Sequence, residues 1–216
     1  MANITTLLFD FDGTLLDTNE LIIQTYQTVL NKHYPGKYER VHILPFLGPV
    51  LKDVFDEIDP EKSEQLMSEY REWNLANHDL MVTEFDGVAE TLRQLKSNGM
   101  KMAIVSTKRK NMIMRGMKLI GIEDLFDTVI GIDDVQRAKP DPEPLVLAME
   151  RLGSSAAETL MIGDNFHDIL GGKNAGVRTA GVAWSLKGEQ YMRELEPDFV
   201  LQHISGLLPI TAGEKV

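Results

Sequence analysis

The sequence predicts an α/β protein whose core is a doubly wound parallel sheet with a small inserted α-helical domain. The first observation is a short strand, residues 7–9, in which every side chain is apolar, as in a strand buried on both faces of a parallel sheet. The second is an alternation of strand and helix patterns after Glu84. The third is a run of helical patterns without a strand. We therefore expect a core domain of residues 1–16 and 81–216 and an inserted helical domain of residues 17–80.

Two features predict the inserted helices. Apolar residues recur at helical spacing within each segment, and residues that commonly begin or end helices flank it. Asp17 is the expected N-cap of the first helix, which Pro35-Gly36 would end. A second helix is expected over residues 50–58. The third would begin at Asp59-Pro60 and continue to about His78. Consecutive helices of this kind indicate a separate helical module.

Strands and helices alternate along the rest of the chain. The expected strands cover residues 102–106, a short segment near 129–130, residues 159–163, 179–183 and 199–201. Between them we expect helices that stop at Gly99, near Leu119, at Gly153 and at Asn174, and a weak helix before the last strand. Repeated alternation of this kind predicts a Rossmann-like sheet with right-handed crossovers.

Composition limits the classes of function that need to be considered. The chain has 216 residues, no cysteine and a formal net charge of −11. Without cysteine there is no disulfide, no thiolate catalysis and no Cys-zinc site, and we expect a cytoplasmic location. The acidic charge argues against a nucleic-acid partner, and no apolar run is long enough to span a membrane. We expect no signal peptide, because the first strand is reached without the basic and apolar regions of one. We expect a small-molecule substrate and a monomer or weak dimer.

Polar residues follow the predicted strands at the point where each strand ends. They are Asp10 and Asp12 after the first strand, Ser106 after the second, Asp164 with Asp168 one helical turn later, and Lys139 in the loop AKPDP. The carboxyl ends of parallel strands share one edge of the sheet, where ligands bind, so we expect these groups to converge. A single Asp before a Gly could instead mark a strand that ends at an ordinary turn, without any functional site.

Two adjacent carboxylates repel each other unless a cation lies between them, and oxygen ligands favour Mg²⁺. The candidate ligands are Asp10, Asp12 through its main-chain carbonyl, Asp164 and, as an orienting residue, Asp168.

These residue types fit phosphoryl transfer. Asp10 would attack phosphorus and form an aspartyl-phosphate, and Asp12 would protonate the leaving oxygen and later deprotonate the attacking water. Ser106 and Lys139 would hold the phosphoryl oxygens. A receiver-type signalling module shares some of these groups, but it is shorter and lacks a helical insert.

The segments DFDGTL, the strand end at Ser106, AKPDP and GDNFHD resemble, in order and spacing, the four motifs of haloacid dehalogenase (HAD) superfamily phosphatases. The resemblance covers essentially the whole chain and implies the same roles for Asp10, Asp12, Ser106, Lys139 and Asp164. The second acid of the DxD pair implies a phosphatase rather than a dehalogenase. The helical insert resembles the small cap domain of that superfamily.

Segments inside and outside the insert, among them NELIIQTYQTVLNKHYPGKY, ILPFLGP and AGVAWSLKGE, are similar to those of PpaX-type inorganic pyrophosphatases. This resemblance implies hydrolysis of pyrophosphate formed when the phosphocarrier HPr is dephosphorylated at serine. A phosphoglycolate or other small phosphomonoester phosphatase remains an alternative, as does a phosphosugar mutase. Thr107 and Asn165 depart from phosphoglycolate phosphatases, which more often have Asn and Ser there.

If pyrophosphate is the substrate, the leaving group is itself a phosphate, and additional cations are expected near it. Lys108 is favoured because it lies two residues after Ser106, and with Thr107 it completes the predicted substrate-binding set. The other candidate cations are Arg109, His167, Lys37, Arg40 and Lys52.

Overall fold

The structure is a computed structural model that describes residues 3–213. Its strands, in chain order, are β1 (Thr6–Phe9), β2 (Leu16–Asp17), β3 (Thr83–Glu84), β4 (Lys101–Val105), β5 (Thr128–Ile130), β6 (Thr159–Gly163), β7 (Arg178–Val182) and β8 (Phe199–Leu201). The helices before β4 are α1 (Asn19–His33), α2 (Arg40–Ile43), α3 (Leu51–Ile58), α4 (Ser63–Met81) and α5 (Val88–Ser97). Those after it are α6 (Lys110–Leu119), α7 (Glu143–Leu152), α8 (Phe166–Asn174), α9 (Gly188–Glu194) and α10 (Leu207–Thr211).

Within the described residues, the main sheet has six parallel strands in the order β5-β4-β1-β6-β7-β8. The chain winds outward from β1 to β5, returns to the other side of β1, and winds outward again to β8. The predicted α/β doubly wound, Rossmann-like fold is therefore confirmed. In such a sheet the crevice for a ligand lies where the winding reverses, which here is between β1 and β6.

The central strand β1 is buried on both faces, because Leu7, Leu8 and Phe9 have no exposed surface. Phe9 is in register with Ile104 of β4 and with Ile162 of β6. The residues that follow these three strands therefore emerge side by side at one edge of the sheet.

The chain divides into two compact units. One contains the residues up to Leu16 and from Glu84 onward, and the other is Asp17–Thr83. This division lies close to the predicted limits of residues 17–80 for the insert. The assignment of the second unit as a cap stays a prediction.

The core unit is built by helices that pack on the main sheet. Helix α7 packs on β4 and β5, and α8 packs on β6 and β7. A Cβ atom at Gly172 of α8 would overlap the side chain of Thr179 in β7, so the glycine allows α8 to pack closely on this strand. Among the described residues, no helix has both the length and the apolar character needed to cross a bilayer.

The helical unit has its own aromatic core. The ring of Tyr26 lies 4.8 Å from that of Tyr70 and 5.5 Å from that of Phe55, measured between centroids. The predicted start of the third helix at Asp59-Pro60 was wrong, since α4 begins at Ser63. Asp59 Oδ1 instead accepts hydrogen bonds from the amides of residues 61 and 62, at 3.1 and 3.2 Å, and forms a separate turn.

Candidate active site

Three carboxylates meet at the edge of the sheet where the winding reverses. One oxygen each from Asp10, Asp164 and Asp168 lie within 4.8 Å of one another. Asp10 follows β1, and its amide donates to the carbonyl of Ile162 in β6 at 2.8 Å. Asp164 follows β6 directly, and Asp168 lies in the first turn of α8. The register of the strands thus brings together acids that are far apart in the sequence.

Two glycines allow these acids to approach so closely. Gly13 has a φ of +80°, and a Cβ atom there would lie 2.5 Å from Asp164 Oδ2. A Cβ atom at Gly163 would overlap the side chain of Asp168. Any larger residue at either position would have to move one of the carboxylates.

Lys139 supplies the positive charge inside this cluster. Its Nζ lies 2.6 Å from Asp168 Oδ1 and 3.1 Å from Asp10 Oδ1, and it donates to the carbonyl of Val105 at 2.7 Å. Burial alone would lower the pKa of Lys139, but the charges of Asp10 and Asp168 outweigh burial and raise the pKa. Lys139 is therefore a charged residue that fixes two carboxylates, and its contact with phosphate stays a prediction.

Both carboxylate oxygens of Asp168 have protein partners. Oδ1 pairs with Lys139, and Oδ2 accepts from the amide of Asn165 at 3.0 Å as part of a capping box at the start of α8. These bonds fix the Asp168 carboxylate, which in turn positions Lys139 and the start of α8. The carboxylates with more freedom to hold a metal ion are those of Asp10 and Asp164.

The acids of the cluster are hard to ionise together. Burial raises the pKa of Asp10 to about 6, although Lys139 acts in the opposite direction. Burial, aided by the charges of Asp168 and Asp10, raises the pKa of Asp164 well above its usual range. A cation between them would stabilise both carboxylate forms.

The donor set fits a metal ion. All three side chains of the cluster offer oxygen, and hard divalent cations prefer oxygen ligands. Asp10 Oδ1 is buried and, apart from its ion pair with Lys139, has no hydrogen-bond partner in the described part of the chain. The three carboxylates could therefore hold a metal ion.

Asp12 lies beside the cluster rather than inside it. Its Oδ1 is 2.7 Å from Nζ of Lys108, and both side chains are mostly buried. The contribution of the Asp12 main-chain carbonyl to a metal site stays a prediction. Ser106, after β4, accepts at Oγ from the amide of Lys108 at 3.3 Å. Thr107 lies half-buried in the same turn.

Sequence reasoning assigned no role to Lys187, which also reaches this edge of the sheet. It is half-buried in the loop after β7, and its Nζ donates to Asn165 Oδ1 at 3.2 Å. Ser185 Oγ, which accepts from the amide of Lys187, donates to the carbonyl of Asp164 at 2.8 Å. The sequence shows that Lys187 follows a predicted strand. It does not show that this strand lies next to β6, and that adjacency brings Lys187 to the site.

The other candidate cations have varied surroundings. His167 is half-buried, and burial lowers its pKa; Arg109 is exposed. Within the helical unit, Arg40 pairs with Glu20 and Lys52 pairs with Asp56, whereas Nζ of Lys37 lies over two tyrosine rings. Each of these three cations of the helical unit thus has a contact within its own unit.

Residues 7–182 match the family described as haloacid dehalogenase-like hydrolase. The chain belongs to this family. It is therefore a hydrolase, and the family predicted from the four motifs is confirmed. The match contains the whole three-carboxylate cluster, Lys139 and Lys108.

The hydrolase is similar to curated relatives along nearly its full length. A protein of Bacillus velezensis named Pyrophosphatase PpaX is 50% identical over 96% of each chain. Another of that name from Bacillus pumilus is 47% identical over 99% of each chain. Among solved structures, one from Bacteroides fragilis described as a haloacid dehalogenase-like hydrolase has a TM-score of 0.88 and 30% identity, covering 94% of this chain and 99% of that one.

Proposed function

We propose that this hydrolase cleaves inorganic pyrophosphate to two phosphates in a Mg²⁺-dependent reaction, through an aspartyl-phosphate on Asp10. The observation that carries the proposal is the cluster of Asp10, Asp164 and Asp168 around Lys139, at the edge of the sheet where the winding reverses. The choice of pyrophosphate is supported by the relatives named Pyrophosphatase PpaX.

Asp10 is the proposed nucleophile. Its carboxylate oxygen attacks one phosphorus atom, a bond forms between that oxygen and phosphorus, and the bond from phosphorus to the bridging oxygen breaks. Lys139, 3.1 Å away, favours the ionised form that attack requires and holds the carboxylate in place. A pKa of about 6 leaves most of Asp10 ionised near neutral pH.

Asp12 is the proposed acid and base. It would donate a proton to the departing phosphate and then take one from the water that attacks the aspartyl-phosphate. Nζ of Lys108, 2.7 Å from Asp12 Oδ1, fixes this carboxyl group beside the reacting atoms. Ser106 and Thr107, on the turn before Lys108, are the proposed donors to the phosphoryl oxygens.

The ligands proposed for Mg²⁺ are Asp10, the main-chain carbonyl of Asp12, and Asp164. When bound, the ion would neutralise the repulsion between the carboxylate nucleophile and the anionic phosphate. Asp168 and Lys139 would position these ligands, because each carboxylate oxygen of Asp168 is already bonded to protein. Removal of pyrophosphate formed by dephosphorylation of HPr, a cytoplasmic location and a monomer or weak dimer stay predictions.

The proposal is tested by phosphate release from the purified protein with Mg²⁺. Pyrophosphate is compared with 2-phosphoglycolate and a panel of sugar phosphates, using Asp10→Asn and, as a matched control, Asp124→Asn at an exposed position. We expect a preference for pyrophosphate that disappears in Asp10→Asn and persists in Asp124→Asn. A preference for phosphoglycolate would contradict the choice of pyrophosphate as the substrate. Formation of an isomerised sugar phosphate would indicate a mutase.

A further inference from the structure

Lys187 is a cation at the edge of the site that the mechanism above does not use. Its ammonium group has one hydrogen-bond acceptor, Asn165 Oδ1 at 3.2 Å, and no carboxylate of the described residues lies within 4.0 Å of it. Burial lowers the pKa of Lys187, and the charges of Asp164 and Asp168 act against that effect. A half-buried ammonium group with so few partners is well suited to bind an anion.

The loop around Lys187 is fixed to the carboxylate cluster. The amide of Lys187 donates to Ser185 Oγ at 3.2 Å, and the same hydroxyl donates to the main-chain carbonyl of Asp164 at 2.8 Å. The ammonium group also lies 5.1 Å from the centroid of the Tyr191 ring. These contacts hold the side chain toward the loop that carries Asp164 and Asn165.

The other lysines near the cluster already have carboxylate partners. Lys139 pairs with Asp10 and Asp168, and Lys108 pairs with Asp12. An ammonium group has three N–H donors, and Asn165 accepts from one of those of Lys187. Of these three lysines, Lys187 is the one whose charge is not already paired.

We propose that Lys187 determines specificity by binding the leaving phosphate of pyrophosphate. The inference rests on the proposed function, because that substrate carries a second anionic phosphate beyond the one transferred to Asp10. Charge-assisted hydrogen bonds from an ammonium group to phosphate oxygens are strong and favour an anionic over an uncharged leaving group. A phosphomonoester whose leaving group carries no phosphate would not use this contact.

The kinetic test compares Lys187→Met and Lys187→Arg with the wild type, using Lys118→Met as a matched control at an exposed helical position. Substrates are pyrophosphate and p-nitrophenyl phosphate. We expect Lys187→Met to reduce kcat/KM for pyrophosphate about ten- to a hundredfold, with a change of less than about threefold for p-nitrophenyl phosphate. Lys187→Arg should restore most of the loss for pyrophosphate.

Equal losses for the two substrates would mean that Lys187 only positions Asn165, and would overturn the inference. An unchanged kcat/KM for pyrophosphate in Lys187→Met would overturn it as well.

A binding measurement removes the dependence on turnover. Isothermal titration calorimetry with Mg²⁺ compares methylenediphosphonate, a nonhydrolysable analogue of pyrophosphate, with methylphosphonate. Lys187→Met should weaken binding of the diphosphonate at least about tenfold and leave the monophosphonate within about twofold. If the wild type neither hydrolyses pyrophosphate nor prefers the diphosphonate, the proposed function fails together with this inference. If the wild type does both and Lys187→Met behaves identically, the inference alone fails.

Discussion

The Lys139 side chain is the residue on which the buried carboxylates depend most directly. It is 2% exposed, and its partner Asp168 is 1% exposed. Lys139→Met would leave two carboxylates without their cation, and the loss of one partner from a buried ion pair typically costs about 3–5 kcal/mol of folding free energy. We expect such a decrease in urea denaturation without metal, and loss of phosphate release. Lys118→Met, at an exposed position, is the control, and equal stability of the two variants would contradict this assignment.

Asp10 should make the stability of the metal-free protein depend on pH. Its pKa in the folded protein is about 6, above the value of 3.8 for an unperturbed Asp, so its ionisation disfavours the folded state. This contribution should lower the free energy of unfolding as pH rises through that interval and become constant above it. Urea denaturation in EDTA from about pH 4 to about pH 8 measures the effect, and Asp10→Asn should reduce the slope. An Asp10→Asn variant with the slope of the wild type would contradict the raised pKa.

At the scale of single elements, the turn after β1 depends on Gly13 for two separate reasons. Its φ of +80° is unfavourable for other residues, and a Cβ atom would lie 2.5 Å from Asp164 Oδ2. Gly121 is a matched control, because it also has a positive φ, of +65°, but among the described residues no heavy atom beyond those of its chain neighbours lies within 4 Å of a Cβ atom there.

Gly13→Ala and Gly121→Ala should both lose about 1–2 kcal/mol of stability from backbone strain. Only Gly13→Ala should also raise the Mg²⁺ concentration needed for half-maximal activity, because it displaces Asp164. An equal metal requirement in the two variants would show that the close approach to Asp164 is unimportant.

Most elements of the sheet could be predicted because the strands are short, apolar and separated by helical patterns. The strand at residues 199–201 and the helices ending at Leu119 and Asn174 were located in this way. The short helices α2 and α10 were missed, since a single turn leaves little periodic signal. The start of α4 was misplaced because Asp59 forms a turn of its own.

The site could be predicted only in part, for a similar physical reason. Strand ends and motifs predicted that Asp10, Asp164 and Lys139 would lie close together, since the residues that follow parallel strands share one edge. The pairing of Lys139 with Asp168 and the approach of Lys187 to Asn165 depend on the order of strands and on loop conformation. Neither is encoded in a local pattern of residue types.

For the whole molecule, the central expectation is that stability and metal binding are linked. Three carboxylates around one lysine leave an excess of two negative charges in the cluster if all are ionised, which matches the charge of one divalent cation. A cation that binds only the folded state stabilises it by about 2.7 kcal/mol at a concentration one hundred times its dissociation constant. Mg²⁺ should therefore raise the unfolding midpoint Tm relative to EDTA at constant ionic strength.

The increase in Tm with Mg²⁺ should disappear in Asp164→Asn and persist in Asp124→Asn, which lies at an exposed position. A wild-type Tm that does not respond to Mg²⁺ would contradict the assignment of the cluster as a metal site.

The most direct test of the account is detection of a phosphoryl group on Asp10. Asp12→Asn removes both the acid and the base, but phosphate is a better leaving group than water is a nucleophile, so the attack of water should be slowed more than the departure of phosphate. The aspartyl-phosphate should therefore accumulate when this variant is mixed with pyrophosphate and Mg²⁺ and then quenched in acid. Mass spectrometry of the proteolysed protein should show one added phosphoryl group on the peptide that contains Asp10, and none in Asp10→Asn/Asp12→Asn. Phosphorylation at another residue, or pyrophosphate hydrolysis that continues in Asp10→Asn, would contradict the central claim.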